Sequence, residues 1–225
     1  MKFAEMTAPE IGRIDKPGVL VIAPIAAVEQ HSRHLPVITD TVLDRRDYRR
    51  LFDTNDGFVD AELAAFYGLE GAFDGNFTPV TLPATRGGLL TLAGFLAINA
   101  GEASTSPTKR GLAVRRAVMC QTIPPPPPGV DANLPEPGPD QPMTKREQLA
   151  KHTTDPVCAS CHQFTDPIGL ALEHYDALGG YRETDKGLPI DPSGEFDGEA
   201  FADAIELGGL LADDPAIADC VVRNL

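Results

Sequence analysis

The stretch Cys158-Ala159-Ser160-Cys161-His162 decides how the rest of this 225-residue sequence is interpreted. Two cysteines three positions apart lie on the same side of a helical turn, so both thiols can bond to one edge of a flat macrocycle. The adjacent histidine can then direct a ring nitrogen at a metal in the centre of that macrocycle. This spacing is typical of the covalent attachment of haem c, with His162 as an axial ligand of the iron.

Other functions of a Cys-x-x-Cys pair were weighed against haem attachment. A closed zinc site needs four ligands, and the remaining cysteines, Cys120 and Cys220, are single and widely spaced. A redox dithiol would be expected within a βαβ unit, of which the sequence shows no sign here. A zinc site would thus need ligands other than these cysteines, and a zinc-binding interaction module remains the alternative to covalent haem.

Capping signals predict short helices around the motif. Thr144-Lys145-Arg146-Glu147 has the form of a capping box, Asp155-Pro156 opens the helix that bears the cysteines, and Asp166-Pro167 opens a third helix that Gly179-Gly180 ends. A loop leads from there to two last helices, at 200–211 and 215–223. We expect a small cytochrome c-like helical module over residues 143–225.

The sixth ligand of the iron is left open by the sequence. No methionine follows His162, so the downstream methionine of ordinary small cytochromes c is missing. We favour His174, which would share a face of the third helix with Leu170 and Leu178. His152, Met143 and an open or water-bound position are the alternatives.

Proline divides the chain before this module. Five consecutive prolines occupy 124–128 and further prolines follow to residue 142, so residues 123–142 are predicted to form an extended linker. Residues 44–122 have a helical pattern, which includes an Asp60-capped segment ending at Gly68, an apolar helix over 89–99, and a helix opened by Ser106-Pro107. The fold class is therefore mainly α, preceded by a short α/β-like N-terminal fragment.

Composition limits the partners. With 33 acidic and 19 basic residues the net charge is −14, which argues against nucleic-acid binding and would attract a cationic redox partner protein. The longest apolar stretches are shorter than the roughly 20 residues that span a bilayer, so no membrane span is expected. Glu5, Glu10 and Asp15 precede the first apolar run, so the N-terminus does not resemble a secretion signal.

Metal-ligating residue types gather in residues 1–43. A β-branched run at 19–25 predicts a buried strand, and Glu29-Gln30-His31 and then Thr39-Asp40 follow it. Carboxylates and an imidazole at the end of a buried strand are typical of metal sites in α/β enzymes.

These N-terminal residues resemble the creatininase (creatinine amidohydrolase) family, whose opening strand leads into a Glu-Gln-His-Gly-Pro-His-Leu-Pro segment and a Thr-Asp. The resemblance covers about residues 1–43 and implies that Glu29, His31 and Asp40 ligate a divalent metal, Zn or Mn. It departs from the family at Ser32-Arg33. A metal-dependent amidohydrolase is therefore the second functional hypothesis.

Residues 44–225 resemble the planctomycete-type cytochrome c family. The resemblance rests on motifs in the expected order, namely Arg86-Gly87-Gly88-Leu89-Leu90, 105–111, the run from Cys120 to Pro128, the haem motif, Asp166-Pro167-Ile168-Gly169, 172–176 and 190–194. It implies covalent haem c at Cys158, Cys161 and His162 and electron transfer within a larger exported protein. If haem is attached, the protein is expected in the periplasm or outside the cell.

Cys120 and Cys220 fit neither the haem motif nor a metal site. In an exported protein they could form one disulfide that closes a loop of about 100 residues. Two buried free thiols are the alternative.

Overall fold

A computed structural model describes residues 48–101, 104–125, 134, 138 and 142–223. Helices form most of the regular structure in these residues, as the capping signals and helical pattern of residues 44–225 predict. The α-helices are α1 Arg50–Asp53, α2 Ala61–Tyr67, α3 Ala93–Ile98, α4 Pro107–Ala113, α5 Lys145–His152, α6 Pro156–Ala171, α7 Ala204–Asp213 and α8 Pro215–Arg223. A 3₁₀ turn at Leu89–Thr91 precedes α3, and a π-helical turn at Val114–Val118 continues α4.

The strands form three small antiparallel pairs. They are β1 Asp56–Val59 with β2 Thr78–Thr81, β3 Thr184–Asp185 with β4 Leu188–Pro189, and β5 Gly194–Phe196 with β6 Glu199–Phe201. The first pair was not predicted, since the sequence indicated a helical pattern over residues 44–122. Pro79 lies opposite Phe58 in this pair, and a proline is compatible with such a short two-stranded edge.

The predicted helix caps at Asp60, Ser106 and Thr144 are confirmed. The Asp60 side chain accepts a hydrogen bond from the Leu63 amide at 2.9 Å, and Gly68 ends α2 in the left-handed region. Ser106 caps α4 with Pro107 in its first turn. Thr144 and Glu147 form the predicted capping box of α5. Each signal is satisfied within a few residues along the chain, which is why the sequence alone reveals it.

The prediction of a separate helix beginning at Asp166-Pro167 is wrong. Helix α6 runs without interruption from Pro156 to Ala171 and contains Pro167 in its interior. A proline inside a helix loses a backbone hydrogen bond, and here close packing of α4 on both sides of Pro167 offsets that loss. An ideal Cβ on Gly111 of α4 would lie 1.9 Å from the Thr165 carbonyl oxygen, and one on Gly169 of α6 would lie 1.8 Å from the Pro107 carbonyl oxygen.

The first of the two C-terminal helices also begins later than predicted. Ala200 lies in β6, and α7 begins at Ala204, because Asp203 accepts hydrogen bonds from the amides of Ile205 and Glu206 and caps the helix there. Helix α8 has the predicted bounds. The apolar segment 89–99 divides into the 3₁₀ turn and α3, with Leu92 in extended conformation between them.

One hydrophobic core joins residues from both sides of the proline-rich segment. Phe52 of α1, Leu96 of α3, Val114 of the π-helical turn and Leu172 after α6 are buried in it together with Leu211 of α7. A disulfide between Cys120 and Cys220 connects the end of the π-helical segment to α8. The predicted division into domains at residues 43, 122 and 142 stays a prediction, and the proline-rich segment falls largely outside the described residues.

Within the described part of the chain, no helix combines the length and the apolar character needed to cross a bilayer.

Candidate functional site

Helix α6 carries the Cys-x-x-Cys-His motif near its N-terminal end. Cys158 and Cys161 are free thiols, and both are partly exposed to solvent. They are three positions apart, which is slightly less than one helical turn, so they are neighbours on the same face of α6. A flat group that lies along this side of α6 would therefore meet both partly exposed cysteines.

The imidazole of His162 is held by a carboxylate on the same helix. Its Nδ1 lies 2.8 Å from Oδ2 of Asp166, four residues later. The two side chains are 19% and 9% exposed, so most of this contact is shielded from water. Residues four apart on a helix are neighbours on its surface, and the uninterrupted course of α6 past Pro167 is what brings Asp166 to His162.

The other oxygen of the Asp166 carboxylate, Oδ1, accepts hydrogen bonds from two hydroxyl groups. Thr108 Oγ1 donates to Asp166 Oδ1 at 2.9 Å, and Thr165 Oγ1 donates to that atom at 3.1 Å. Thr108 belongs to α4, which crosses α6 at the glycine contacts of Gly111 and Gly169. The orientation of His162 thus depends on a neighbouring helix that lies on the other side of the proline-rich segment.

An exposed aromatic ring lies close to the motif. Phe164 is 49% exposed, and it follows Cys161 by three residues on α6, so the two lie on the same side of the helix. A large apolar side chain at this exposure is a surface that a flat apolar group can cover.

His174 is not placed on a third helix as predicted. It lies three residues beyond the end of α6, and its half-buried ring is 5.5 Å from the ring of Tyr181 in an edge-to-face arrangement. The carbonyl of His174 accepts a hydrogen bond from the Arg182 amide at 2.7 Å. Leu178, expected on the same inward face, is 68% exposed. The helical pattern ends at Ala171, and the chain turns from there towards Tyr175 and Gly180.

The other two candidates for the sixth ligand belong to the segment that contains α5. Met143 is half-buried before that helix, and its Sδ lies 3.3 Å from Nζ of Lys151. His152 is the last residue of α5, and its side chain falls outside the described residues. The sixth ligand therefore stays a prediction.

A buried ionic network fixes the chain just after α6. Arg110 of α4 is fully buried and donates to the carbonyls of Leu172 and Tyr175, both at 2.8 Å. Its guanidinium lies 3.8 Å from the carboxylate of Glu173, which also accepts from Thr105 at 2.8 Å and Arg182 at 3.2 Å.

Burial dominates the electrostatics of this network. It lowers the pKa of Arg110 to about 10, against the opposing effect of the nearby Glu173 carboxylate. Burial also raises the pKa of Glu173 above its usual value, although Thr105, Arg110 and Arg182 favour the charged form. These groups connect α4 to the end of α6, and Glu173 directly precedes His174.

The predicted N-terminal metal ligands Glu29, His31 and Asp40 lie outside the described residues. Among residues that are described, no group of three or more His, Cys, Asp or Glu side chains is placed to hold a metal ion. A zinc site built on Cys158 and Cys161 would thus need ligands from elsewhere.

Asp166 and Thr108 were not among the site residues predicted from the sequence. The signal for Asp166 was present, because a carboxylate four residues after a histidine is its neighbour on a continuous helix. The assumption of a helix boundary at Asp166-Pro167 concealed it. Thr108 gave no signal in the sequence, since its contact with Asp166 depends on how α4 crosses α6.

The donor set fits a covalent haem c. Two accessible thiols stand on one helix with the adjacent imidazole, whose Nδ1 is engaged by a carboxylate, so that Nε2 is the nitrogen available in this tautomer for a metal. Cys158 and Cys161 would hold the porphyrin edge and His162 would ligate the iron.

Comparison with known proteins gives two family matches and no individual relative. No curated protein and no solved structure matches the chain. The creatininase match extends to residue 69, beyond the expected limit near residue 43, and therefore includes β1 and α2. The cytochrome match begins at residue 86 rather than near residue 44. Both resemblances are nevertheless confirmed, since residues 4–69 match the creatininase family, creatinine amidohydrolase, and residues 86–185 match the PSCyt3 family, a protein family of unknown function (DUF1588) that comprises planctomycete cytochrome c domains.

Proposed function

We propose that this chain binds one haem c covalently through Cys158 and Cys161, with His162 as an axial ligand, and acts as an electron-transfer module of a larger exported protein. The observation that carries the proposal is the arrangement on α6, where the two accessible thiols are followed by an imidazole held at Nδ1 by Asp166. When bound, the haem supplies one-electron redox chemistry. The protein supplies attachment, an axial ligand and the orientation of that ligand.

The disulfide supports an exported location. Disulfides persist in the periplasm and outside the cell and are rare in the reducing cytoplasm, and Cys120 and Cys220 are bonded in this structure. The maturation of Cys-x-x-Cys-His sites also takes place outside the cytoplasm. Periplasmic or extracellular function is therefore part of the proposal.

An open or water-bound sixth position and ligation by His174 are the two arrangements to be distinguished. The rise of an α-helix separates His162 from Ala171 by about 13.5 Å along the axis of α6, and His174 lies beyond that end. Two histidines that share an iron must approach it from opposite faces of a single porphyrin. H174A decides between the two arrangements: an unchanged visible spectrum supports the open or water-bound position, and a changed one supports His174 as the second ligand.

The haem is tested on the full chain, exported through a fused signal peptide in cells with an active cytochrome c maturation system. We expect a Soret band and a pyridine haemochrome that resists extraction with acidified acetone. The double variant C158A/C161A should lose the covalent pigment, whereas C120A/C220A, with the same number of cysteines removed, should keep it. A colourless unmodified protein, or pigment that is lost to acidified acetone, would overturn the proposal.

A metal-dependent amidohydrolase is the second candidate, because the creatininase match includes Glu29, His31 and Asp40. It predicts a colourless protein that binds Zn or Mn and hydrolyses a cyclic amide such as creatinine. Elemental analysis of the purified chain and of E29Q/H31A distinguishes it from a zinc-binding interaction module. In the latter, zinc would be lost with C158A/C161A and retained by E29Q/H31A.

A further inference from the structure

We propose that Asp166 is a positioning residue that fixes the tautomer of His162 and lowers the reduction potential of the iron that His162 ligates. This inference rests on the proposed function, because it concerns the same haem. It assigns a role to a residue outside the Cys-x-x-Cys-His motif.

The tautomer follows from the hydrogen bond. Asp166 Oδ2 is a carboxylate oxygen and accepts a hydrogen bond from the Nδ1–H of His162 at 2.8 Å. With the proton on Nδ1, Nε2 is the unprotonated ring nitrogen and therefore the one that would ligate a metal. Carboxylate partners of this kind orient metal-ligating imidazoles and raise their basicity.

The carboxylate is itself held in place. Thr108 and Thr165 donate to its second oxygen at 2.9 and 3.1 Å, so both oxygen atoms are occupied by directed contacts. Only 9% of the Asp166 side chain is exposed. Solvent therefore screens the charge on Asp166 less than it would screen a surface carboxylate.

The effect on the iron has a defined sign. A carboxylate next to the axial imidazole increases electron donation to the iron and adds a negative charge near it. Both effects stabilise the oxidised iron, which carries one more positive charge than the reduced iron. A chain with Asp166 should consequently have a lower reduction potential than one with a neutral acceptor at this position.

The test compares D166N with D213N in the full haem-loaded chain. Asparagine keeps an oxygen acceptor for Nδ1 but removes the charge. Asp213 makes the matched control, since its side chain is 82% exposed at the end of α7. T108V retains the carboxylate and removes one of its hydroxyl donors, which provides a second variant in case D166N does not fold.

Reduction potentials are measured by spectroelectrochemical titration. We expect the reduction potential of D166N to be higher than that of the unmodified chain by at least about 59 mV. For a one-electron couple this is a tenfold shift towards the reduced form. Because T108V removes a hydroxyl that draws charge from the carboxylate, it should strengthen the contact with Nδ1 and lower the potential by a smaller amount, and D213N should equal the unmodified chain. Resonance Raman spectra of the reduced D166N protein should show the iron–imidazole stretching band at a lower frequency, because the bond is weaker. A purely structural role of Asp166 would not change this frequency.

The outcomes separate the two proposals. Covalent haem in all variants with equal potentials in D166N, D213N and the unmodified chain overturns the role of Asp166 and leaves the proposed function standing. If D166N does not fold, a potential of T108V equal to that of D213N overturns the role in the same way. An unmodified chain without covalent haem overturns both.

Discussion

At the scale of single residues, the ionic network between α4 and the segment after α6 carries an unfavourable desolvation free energy, because its charged groups are buried. Arg110 makes its hydrogen bonds mainly to carbonyl oxygens, and its Nε and the Oε1 atom of Glu173 have no hydrogen-bond partner. A buried ion pair is often no more stable than apolar residues of the same volume. Its contribution is therefore better explained as fixing the course of the chain after α6 than as adding stability.

The pH dependence of folding reports on Glu173. Burial raises the pKa of its carboxyl group, so the folded protein holds this proton to a higher pH than the unfolded chain does. The free energy of unfolding contributed by this group is then greatest below the unfolded pKa and decreases as the pH rises through the folded pKa. Because E173Q cannot titrate, we expect the unmodified protein to lose stability relative to E173Q as the pH rises from the ordinary pKa of a glutamate, about 4.3, through the raised pKa of Glu173.

Urea denaturation of the unmodified protein and of E173Q over this pH range measures the difference in their free energies of unfolding. Groups that titrate equally in the two proteins do not contribute to this difference. D185N serves as the control, because Asp185 pairs with the same Arg182 but is not among the buried groups. A difference that grows in favour of the unmodified protein as the pH rises would mean that Arg110 and Arg182 outweigh burial, and that the pKa of Glu173 is lowered instead.

At the scale of elements, the crossing of α4 and α6 positions the candidate site. The two helices approach so closely that a methyl group at Gly111 would overlap the Thr165 carbonyl, immediately before Asp166. The same approach allows Thr108 to reach Asp166. Helix packing and the orientation of His162 are thus set by the same two glycines.

We expect G111A to destabilise the protein by about 1–3 kcal/mol, because the added methyl group meets backbone that cannot move aside without separating the helices. G209A is the matched control in α7, where a Cβ would meet nothing within 4 Å. There, alanine should stabilise the fold by up to about 1 kcal/mol through helix propensity. Urea denaturation measures both changes, and equal effects of the two substitutions would contradict the close crossing.

Elements that are specified locally could be predicted from the sequence, whereas those that depend on distant partners could not. The caps at Asp60, Ser106 and Thr144 follow from contacts within three residues. The pairing of β1 with β2 joins Val59 to Thr78, and a proline in the second strand concealed it. The continuity of α6 through Pro167 depends on packing against α4, which no pattern in the 156–171 segment reveals.

The candidate site divides in the same way. Cys158, Cys161 and His162 were predicted because their spacing alone carries the chemistry. Asp166 was missed because its contact with His162 exists only if the helix continues, and the position of His174 was wrong because the helix stops earlier than its apolar pattern suggested.

At the scale of the whole molecule, the disulfide closes the fold across the proline-rich segment. It joins residues separated by 100 positions, and its loop contains the whole of α5 and α6 together with the candidate site. A crosslink over so long a loop restricts the unfolded chain strongly. The core alone must otherwise hold α8 to the segment after α4.

We expect C120A/C220A to lower the free energy of unfolding by about 3–5 kcal/mol, because the chain-entropy cost of a 100-residue loop is about 4.7 kcal/mol. Urea denaturation with and without reductant separates the bond from the side chains. Reductant should destabilise the unmodified protein by a similar amount and leave the double variant unchanged. If reductant has no effect on the unmodified protein, the two cysteines are not bonded in solution.

The net charge of −14 should govern how the haem-loaded protein meets its redox partner. An acidic molecule attracts cations over distances set by the Debye length, which falls from about 30 Å at 0.01 M salt to about 8 Å at 0.15 M. Electron transfer with the cationic hexaammineruthenium complex should therefore slow as salt increases, whereas the reaction with anionic ferricyanide should accelerate. Stopped-flow measurements of both reactions check this, with each probe serving as the control for the other. The same salt dependence for the two probes would show that the charge close to the haem is balanced, and that the acidic residues do not select a cationic partner.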